Sequence, residues 1–239
     1  MTWRGTPGPR SSPGVTRLFT RPARRLPFEE PESPDSGEAY LEELDRLFVQ
    51  VGGGALASSV IQGLDEARSL GVIDHLPRLH AVQAHNAHPV QRAHDLVVLR
   101  LLEHTDDSYG SPTETLRAAM SSGALDEELA WIARHRSQFM WPWTPAPHSV
   151  AGGILDDETY DWLAVVRGML VTGGSPVTVG EELLLDATEL ARTATGIDVD
   201  PTSAAGLAGL LRLRQDGAIH PDETSAVLFT GIRRNGERP

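Results

Sequence analysis

The 239-residue sequence contains no cysteine. That excludes disulfides, a thiolate metal site and a cysteine nucleophile, and it fits a reducing compartment such as the cytoplasm. Lysine is absent as well: all 21 basic residues are arginine. A GC-biased gene would produce such a bias without functional meaning, but the chemical consequence is firm, because a chain without lysine forms no lysine Schiff base. No apolar run approaches the ~20 residues a bilayer-spanning helix needs, so no membrane association is expected. Positive charge is in short supply, and a formal net charge of −12 argues against general nucleic-acid binding. The length suffices to bury a core as one large domain or one and a half.

Acids are missing from one stretch. Met1 to Phe28 holds six arginines, five prolines and no carboxylate. Pro7, Pro9, Pro13, Pro22 and Pro27 oppose regular structure, so residues 1–38 read as a disordered arm followed by the acidic, proline-bearing linker Glu29 to Glu38. The arm lacks the apolar core of a secretory signal. Residues 39–239 read as the folded part, with a short helix over Ala39 to Arg46.

What the chain does have is a glycine cluster in an informative place. Leu47-Phe48-Val49-Gln50-Val51 is apolar and β-branched and reads as a buried strand. Gly52-Gly53-Gly54-Ala55 follows, and then Val60, Ile61, Leu64, Ala67 and Leu70 recur at helical spacing. Strand, glycine turn and helix together make an anion site, because glycine amides can converge on one point and the helix start adds free N–H groups and a positive dipole end. The alternative is a tight connection that holds nothing. Leu79-His80-Ala81-Val82-Gln83 reads as a second buried strand, which closes a right-handed parallel βαβ unit.

Further on, Ser111-Pro112-Thr113-Glu114 is a capping box opening a helix toward Met120. A helix is predicted over Asp126 to Arg136, and an aromatic loop over Trp141-Pro142-Trp143-Thr144-Pro145-Ala146-Pro147. Asp156 and Asp157 are expected to cap a helix through Trp162, Val166 and Leu170 that stops at Gly173-Gly174. Glu181 to Ala194 gives another helix, ended by Gly196. Asp200 precedes a helix whose Ala205, Gly206 and Gly209 permit close contact with a sheet. Ala226-Val227-Leu228-Phe229 reads as a strand ending on Thr230-Gly231.

Other chemistries fit less well. Gly52, Gly54 and Ala57 satisfy a loose dinucleotide fingerprint, but the next strand ends in Gln83, Ala84 and His85 without the acid that would hold a ribose. That makes an NAD-binding βαβ protein the weaker reading. His85 and His88 lack companion ligands at metal-binding spacing, so no metal site is assigned. Gly173-Gly174-Ser175 lacks the glycine that a nucleophile elbow requires. The acid runs at Asp106-Asp107, Asp126 to Glu128 and Asp156 to Glu158 read as caps and solvated faces. The glycine turn, the Asp200 to Ser203 turn and Thr230-Gly231 all fall at carboxyl ends of strands, where an open parallel sheet places its ligands.

Phe48-Val49-Gln50-Val51-Gly52-Gly53-Gly54-Ala55-Leu56 resembles the phosphate loop of fold-type II pyridoxal-phosphate enzymes, the tryptophan synthase β-like group. Ala194 to Ala205 resembles the E-G-I-x-x-E-P-A-S-A-A stretch of threonine synthases, and Val227-Leu228-Phe229-Thr230-Gly231 is similar to their V-L-T-G segment. The resemblance implies that Gly52, Gly53, Gly54 and Ala55 bind the phosphate of pyridoxal phosphate. It implies that Thr230 meets the ring nitrogen with a neutral hydroxyl, which leaves the pyridine largely unprotonated and suits elimination or replacement at the substrate β or γ carbon. It covers Asp45 to Gly231, the carboxyl-terminal half of such an enzyme. The family's Schiff-base lysine and the asparagine loop over the ring hydroxyl belong to an amino-terminal half that has no counterpart here. After Thr230-Gly231 the family continues H-G-L-K, where this chain has Ile232-Arg233-Arg234.

The expected fold is therefore α/β, a parallel sheet with flanking helices and the amino-terminal half missing. The expected function is that of the carboxyl-terminal part of a pyridoxal-phosphate-dependent amino-acid lyase, threonine synthase-like or serine/threonine dehydratase-like and inactive alone. No residue of the chain is assigned a catalytic role. An amino-terminal half or a second copy is the expected partner. The alternative is a non-catalytic remnant of the same fold that keeps the phosphate cradle for binding or partner contact.

Overall fold

The computed structural model describes residues 16–20, 43–104 and 124–232. Its strands are β1 (Thr16–Thr20), β2 (Arg46–Gln50), β3 (Arg78–Ala84), β4 (Val177–Val179) and β5 (Ser225–Phe229). They form a single five-stranded sheet in the order β1-β5-β2-β3-β4. The pairs β2–β3, β2–β5 and β3–β4 are parallel, and β1 runs antiparallel to β5 at the edge. The helices are α1 (Ala55–Ser69), α2 (Pro89–His104), α3 (Ala124–Arg134), α4 (Trp162–Thr172), α5 (Glu181–Thr195) and α6 (Pro201–Gln215).

Helices cover both faces of the sheet, and the strand residues divide between two cores accordingly. Leu47, Val49, Leu79, Ala81 and Ala226 pack with residues of α1 to α4. Phe48, Val82, Val227 and Phe229 turn the other way and pack with α5 and α6. Such a strand is buried on both faces, which is why β2 is an unbroken buried run. On the α6 side the contact is close, as the small residues predict. A Cβ on Gly209 would stand 2.4 Å from Val82 Cγ2, and one on Gly206 would stand 3.1 Å from the Phe48 carbonyl oxygen. No helix among the described residues is long and apolar enough to cross a membrane.

Several expectations need correction. Thr16–Thr20 forms strand β1, although its neighbourhood was expected to be irregular. The prolines bound this segment at Pro13 and Pro22 instead of interrupting it, and an edge position accepts such neighbours. The remainder of the arm and linker lies outside the described residues. Arg46 opens β2 rather than closing a helix from Ala39. The first strand after the linker claims it, because its guanidinium is buried in a polar network below the sheet. The predicted helix after Ser111 lies outside the described residues. Strand β4, three residues long, carries too short a pattern to be read beforehand. Leu70 is the C-cap of α1 and 80% exposed, so the apolar stripe of that helix ends at Leu64 and Ala67.

Candidate functional site

The site is built where β2 and β5 end side by side. After Gln50 the chain makes one further backbone–backbone bond to β3, from the Val51 amide to the Val82 carbonyl at 2.9 Å, and then turns through the glycines. Gly54 holds φ 96°, a left-handed conformation that favours glycine, and α1 starts directly after it. The first helical bond runs from the Ser58 amide to the Gly54 carbonyl. The amides of Gly54, Ala55, Leu56 and Ala57 thus have no partner within the helix. No side chain caps this end, and the first turn holds no acid. The positive end of the dipole is left to whatever binds there.

A segment from Gly152 to Asp161 crosses this turn. The Thr159 hydroxyl donates to the Gly52 carbonyl at 2.7 Å, and the Asp161 amide donates to the Gly53 carbonyl at 3.0 Å. In a trans peptide the C=O and the next N–H point in opposite directions. Holding these two carbonyls therefore aims the Gly53 and Gly54 amides away from the crossing segment. The approach is tight: a Cβ on Gly52 would meet Asp156 Oδ2 at 2.5 Å and Ile154 Cα at 3.0 Å. One on Gly53 would stand 3.3 Å from the Tyr160 ring. Ser58 Oγ donates to Asp161 Oδ2 at 2.8 Å and fastens the segment to α1.

This crossing also corrects the reading of Asp156 and Asp157 as helix caps. Helix α4 begins only at Trp162, with Asp161 at its N-cap position and no side-chain cap bond. Thr159 and Asp161 instead bond to the glycine turn and Asp156 lies against it, and no local pattern could signal that distant partner.

Thr230 stands beside the turn at the end of β5. Gln50 Nε2 donates to Thr230 Oγ1 at 2.7 Å and links the two strand ends directly. Gln50 itself is buried, and its Oε1 has no hydrogen-bond partner. Next to Thr230, Gly231 lies against the start of α6. A Cβ there would be 2.8 Å from both Asp200 Oδ2 and Ser203 Oγ. Asp200 caps α6 by accepting from the Ser203 amide at 2.7 Å, and Thr202 Oγ1 accepts from the Gly153 amide at 3.0 Å. The glycine turn, the Asp200 to Ser203 turn and Thr230-Gly231 are thereby tied into one cluster. Gln50 joins this cluster although the sequence gives it no role beyond the strand; its only signal there is a polar side chain at the end of an apolar strand.

Other buried polar groups among the described residues bond within the fold. Gln83 donates to the Val51 carbonyl at 3.2 Å and accepts from the Val90 amide at 2.8 Å, holding the start of α2 to β2. His88 leans on Trp143 at 4.3 Å, and the Arg92 guanidinium covers Trp141 at 3.8 Å, which orders the aromatic loop. Among the described residues, no group of three or more His, Asp or Glu side chains gathers as a metal site. At the opposite end of the sheet, Arg46 donates to Glu223 at 2.9 Å and approaches His80 Nε2 at 3.2 Å. Arginine is only a donor, so His80 accepts through Nε2 and donates through Nδ1 to the Ser175 carbonyl at 3.1 Å. Burial lowers the pKa of His80 to about 4 despite that last bond, with the charges of Arg46 and Arg78 adding to the effect. Burial alone would raise the Glu223 carboxyl, but the bonds from Arg46 and the His220 amide bring it below the usual range.

No family model matches the chain. Relatives and solved structures do. The chain is similar to the threonine synthase of Methanocaldococcus jannaschii, 27% identical over 192 residues, which is 78% of this chain and 36% of that protein. It is 26% identical over 187 residues to the threonine synthase of Methanosarcina acetivorans, again 36% of that protein. Processed threonine deaminase isoform 2 of Solanum lycopersicum superposes with a TM-score of 0.53 at 11% identity, over 84% of this chain and 44% of that one. The fold is that of the fold-type II pyridoxal-phosphate enzymes. The chain spans about a third of the length of the curated relatives it matches. Within that fold-type II frame, the described residues supply the parallel sheet, the helices on its two faces and the cluster at the carboxyl ends of its strands.

Proposed function

We propose that this chain forms the phosphate-holding and ring-nitrogen-holding part of a pyridoxal-phosphate-dependent amino-acid lyase, of the threonine synthase or serine/threonine dehydratase kind. One observation carries the reading. The uncapped start of α1 and the Thr230 hydroxyl stand at adjacent strand ends, joined through Gln50. The residues present fit the cofactor at these two points. The glycine amides suit a phosphate, the backbone at Gly52 leaves no room for a Cβ, and Thr230 offers a neutral hydroxyl. When bound, the cofactor supplies an electron sink for the substrate carbanion. The chain's own residues bind and orient it: Gly53 and Gly54 aim amides at the phosphate, and Gln50 steadies Thr230.

The sequence contains no lysine, so covalent attachment requires a lysine from elsewhere. A lysine-bearing amino-terminal half is the partner this reading calls for. The missing lysine also favours a second reading, a non-catalytic phosphate-binding protein of the same fold. Adding a separately expressed amino-terminal half from a threonine synthase distinguishes them: restored elimination or replacement activity supports the lyase.

The site itself is tested by binding. Pyridoxal phosphate and inorganic phosphate should each bind the full chain reversibly and compete with one another. Gly53→Asp adds a negative charge to the turn and should strongly weaken binding of both. The nearest neighbours of a Cβ there are the Tyr160 ring and Asp156 Oδ2, at 3.3 and 3.5 Å, and a circular-dichroism spectrum matching the parent's checks that the variant folds. Thr230→Val should weaken pyridoxal phosphate by about 0.5–1.5 kcal/mol, one net hydrogen bond, and spare inorganic phosphate. If Gly53→Asp binds phosphate as well as the parent does, the turn is only a turn and the proposal is lost.

A further inference from the structure

We infer that Gln50 is a positioning residue: by donating to Thr230 Oγ1 it commits the threonine proton to the ligand, so that the site selects a ring with an unprotonated nitrogen. The inference rests on the cofactor reading above and deepens it.

The geometry is specific. Gln50 is the last residue of β2, 5% exposed, and its Nε2 lies 2.7 Å from Thr230 Oγ1. A hydroxyl has one proton to give and two lone pairs to receive with. With one lone pair taken by the Gln50 amide, the Thr230 proton turns to another acceptor, and the threonine is exposed at the site mouth where that acceptor would stand. A pyridine nitrogen with its lone pair free accepts that proton. A pyridinium N–H would meet a second donor instead.

The rest of the Gln50 side chain argues that it is there for this bond. Its Oε1 faces the backbone of α6, where a Cβ on Gly206 would be 3.5 Å away, and it finds no hydrogen-bond partner. An unpartnered buried carbonyl opposes folding, and an apolar side chain of similar shape would avoid it. The amide therefore costs stability at the position from which it holds Thr230. Being at the end of a strand buried on both faces, it has little freedom to turn elsewhere.

The test compares two ligands on the full chain. One is pyridoxal phosphate and the other its deaza analogue, in which C–H replaces the ring nitrogen; inorganic phosphate reports on the cradle alone. The parent should prefer pyridoxal phosphate over the deaza compound by about two- to tenfold, the worth of one net hydrogen bond. Gln50→Leu should shrink that preference. Gln50→Glu, whose carboxylate can only accept, should turn the threonine proton inward and abolish it. Inorganic phosphate should bind the parent and Gln50→Leu alike, and its binding by Gln50→Glu corrects for the added charge. In the ligand-free chain, the Gln50 side-chain amide should shift in a ¹⁵N–¹H spectrum on Thr230→Val.

An unchanged nitrogen preference in both Gln50 variants, or an amide signal indifferent to Thr230→Val, overturns this inference while leaving the cofactor reading in place. A parent that binds neither phosphate nor pyridoxal phosphate overturns both.

Discussion

Asp156 sets its Oδ2 2.5 Å from the point where a Cβ on Gly52 would stand, so a carboxylate borders the very turn whose amides suit an anion. The Gly53 and Gly54 amides face away from the segment that carries Asp156, so the repulsion reaches an anion across the turn and is weaker than the ~1 kcal/mol of two charges about 4 Å apart in water. Asp156→Asn should therefore tighten inorganic phosphate modestly at low salt, with the gain fading as ionic strength rises. Phosphate titration of both proteins at two salt concentrations measures it. An Asp156→Asn protein that binds phosphate more weakly than the parent would mean this carboxylate supports the site instead of opposing the anion.

Covalent chemistry gives a second expectation. With no lysine in the sequence, pyridoxal phosphate followed by borohydride should leave no stable pyridoxyl mass on any side chain. Peptide mapping by mass spectrometry reads this directly. Labelling of the terminal amine is compatible with it, whereas a stoichiometric adduct on an internal residue is not.

Acid should weaken the fold through His80. Its pKa falls from 6.5 unfolded to about 4 folded, chiefly by burial. Between those values the unfolded chain takes up a proton that the folded chain refuses, so stability is full above pH 6.5 and declines as pH drops. The loss down to pH 4 is about 3 kcal/mol. His88 and His94, lowered first by burial as well, act in the same direction. Glu223, whose pKa is also lowered, loses its share only further into acid. Urea denaturation at pH 7 and pH 4.5 should show a smaller decline for His80→Gln than for the parent. Equal declines would locate the acid sensitivity elsewhere.

Two adjacent glycines should respond very differently to the same change. Gly173 ends α4 at φ 69° with nothing near its missing Cβ, so alanine there should cost about 1–2 kcal/mol of backbone strain. Gly174 has the Leu79 carbonyl oxygen 1.8 Å from its missing Cβ, and Thr172 Oγ1 holds the Leu79 amide at 2.9 Å. Alanine at Gly174 must push α4 off β3 and should cost about 3 kcal/mol or more. Thermal melts of the two variants rank them, and a Gly174→Ala protein as stable as Gly173→Ala would disprove the contact.

How far the sequence could be read follows from what held each piece in place. The first βαβ unit was legible because its signals are local: an apolar strand, three glycines and a helical stripe in order. Helix α6 was legible because Gly206 and Gly209 announce a close approach, and Asp200 caps it as its position suggests. The crossing of residues 152–161 over the glycine turn was hidden. It depends on Thr159 meeting Gly52 from 107 residues away, and nothing near Thr159 marks it. Strand β1 was hidden because its prolines stand outside the five residues that pair.

That strand has a bearing on handling the protein. β1 lies along β5 from Thr16 opposite Phe229 to Thr20 opposite Ser225, so it shields the outer ladder of the strand that delivers Thr230. A clone begun after residue 20 would leave those backbone groups bare, a template for stacking against other copies. The threonine at the strand tip would then sit on a fraying border rather than an inner seam. Solubility and ligand grip should fall together in such a shortened protein.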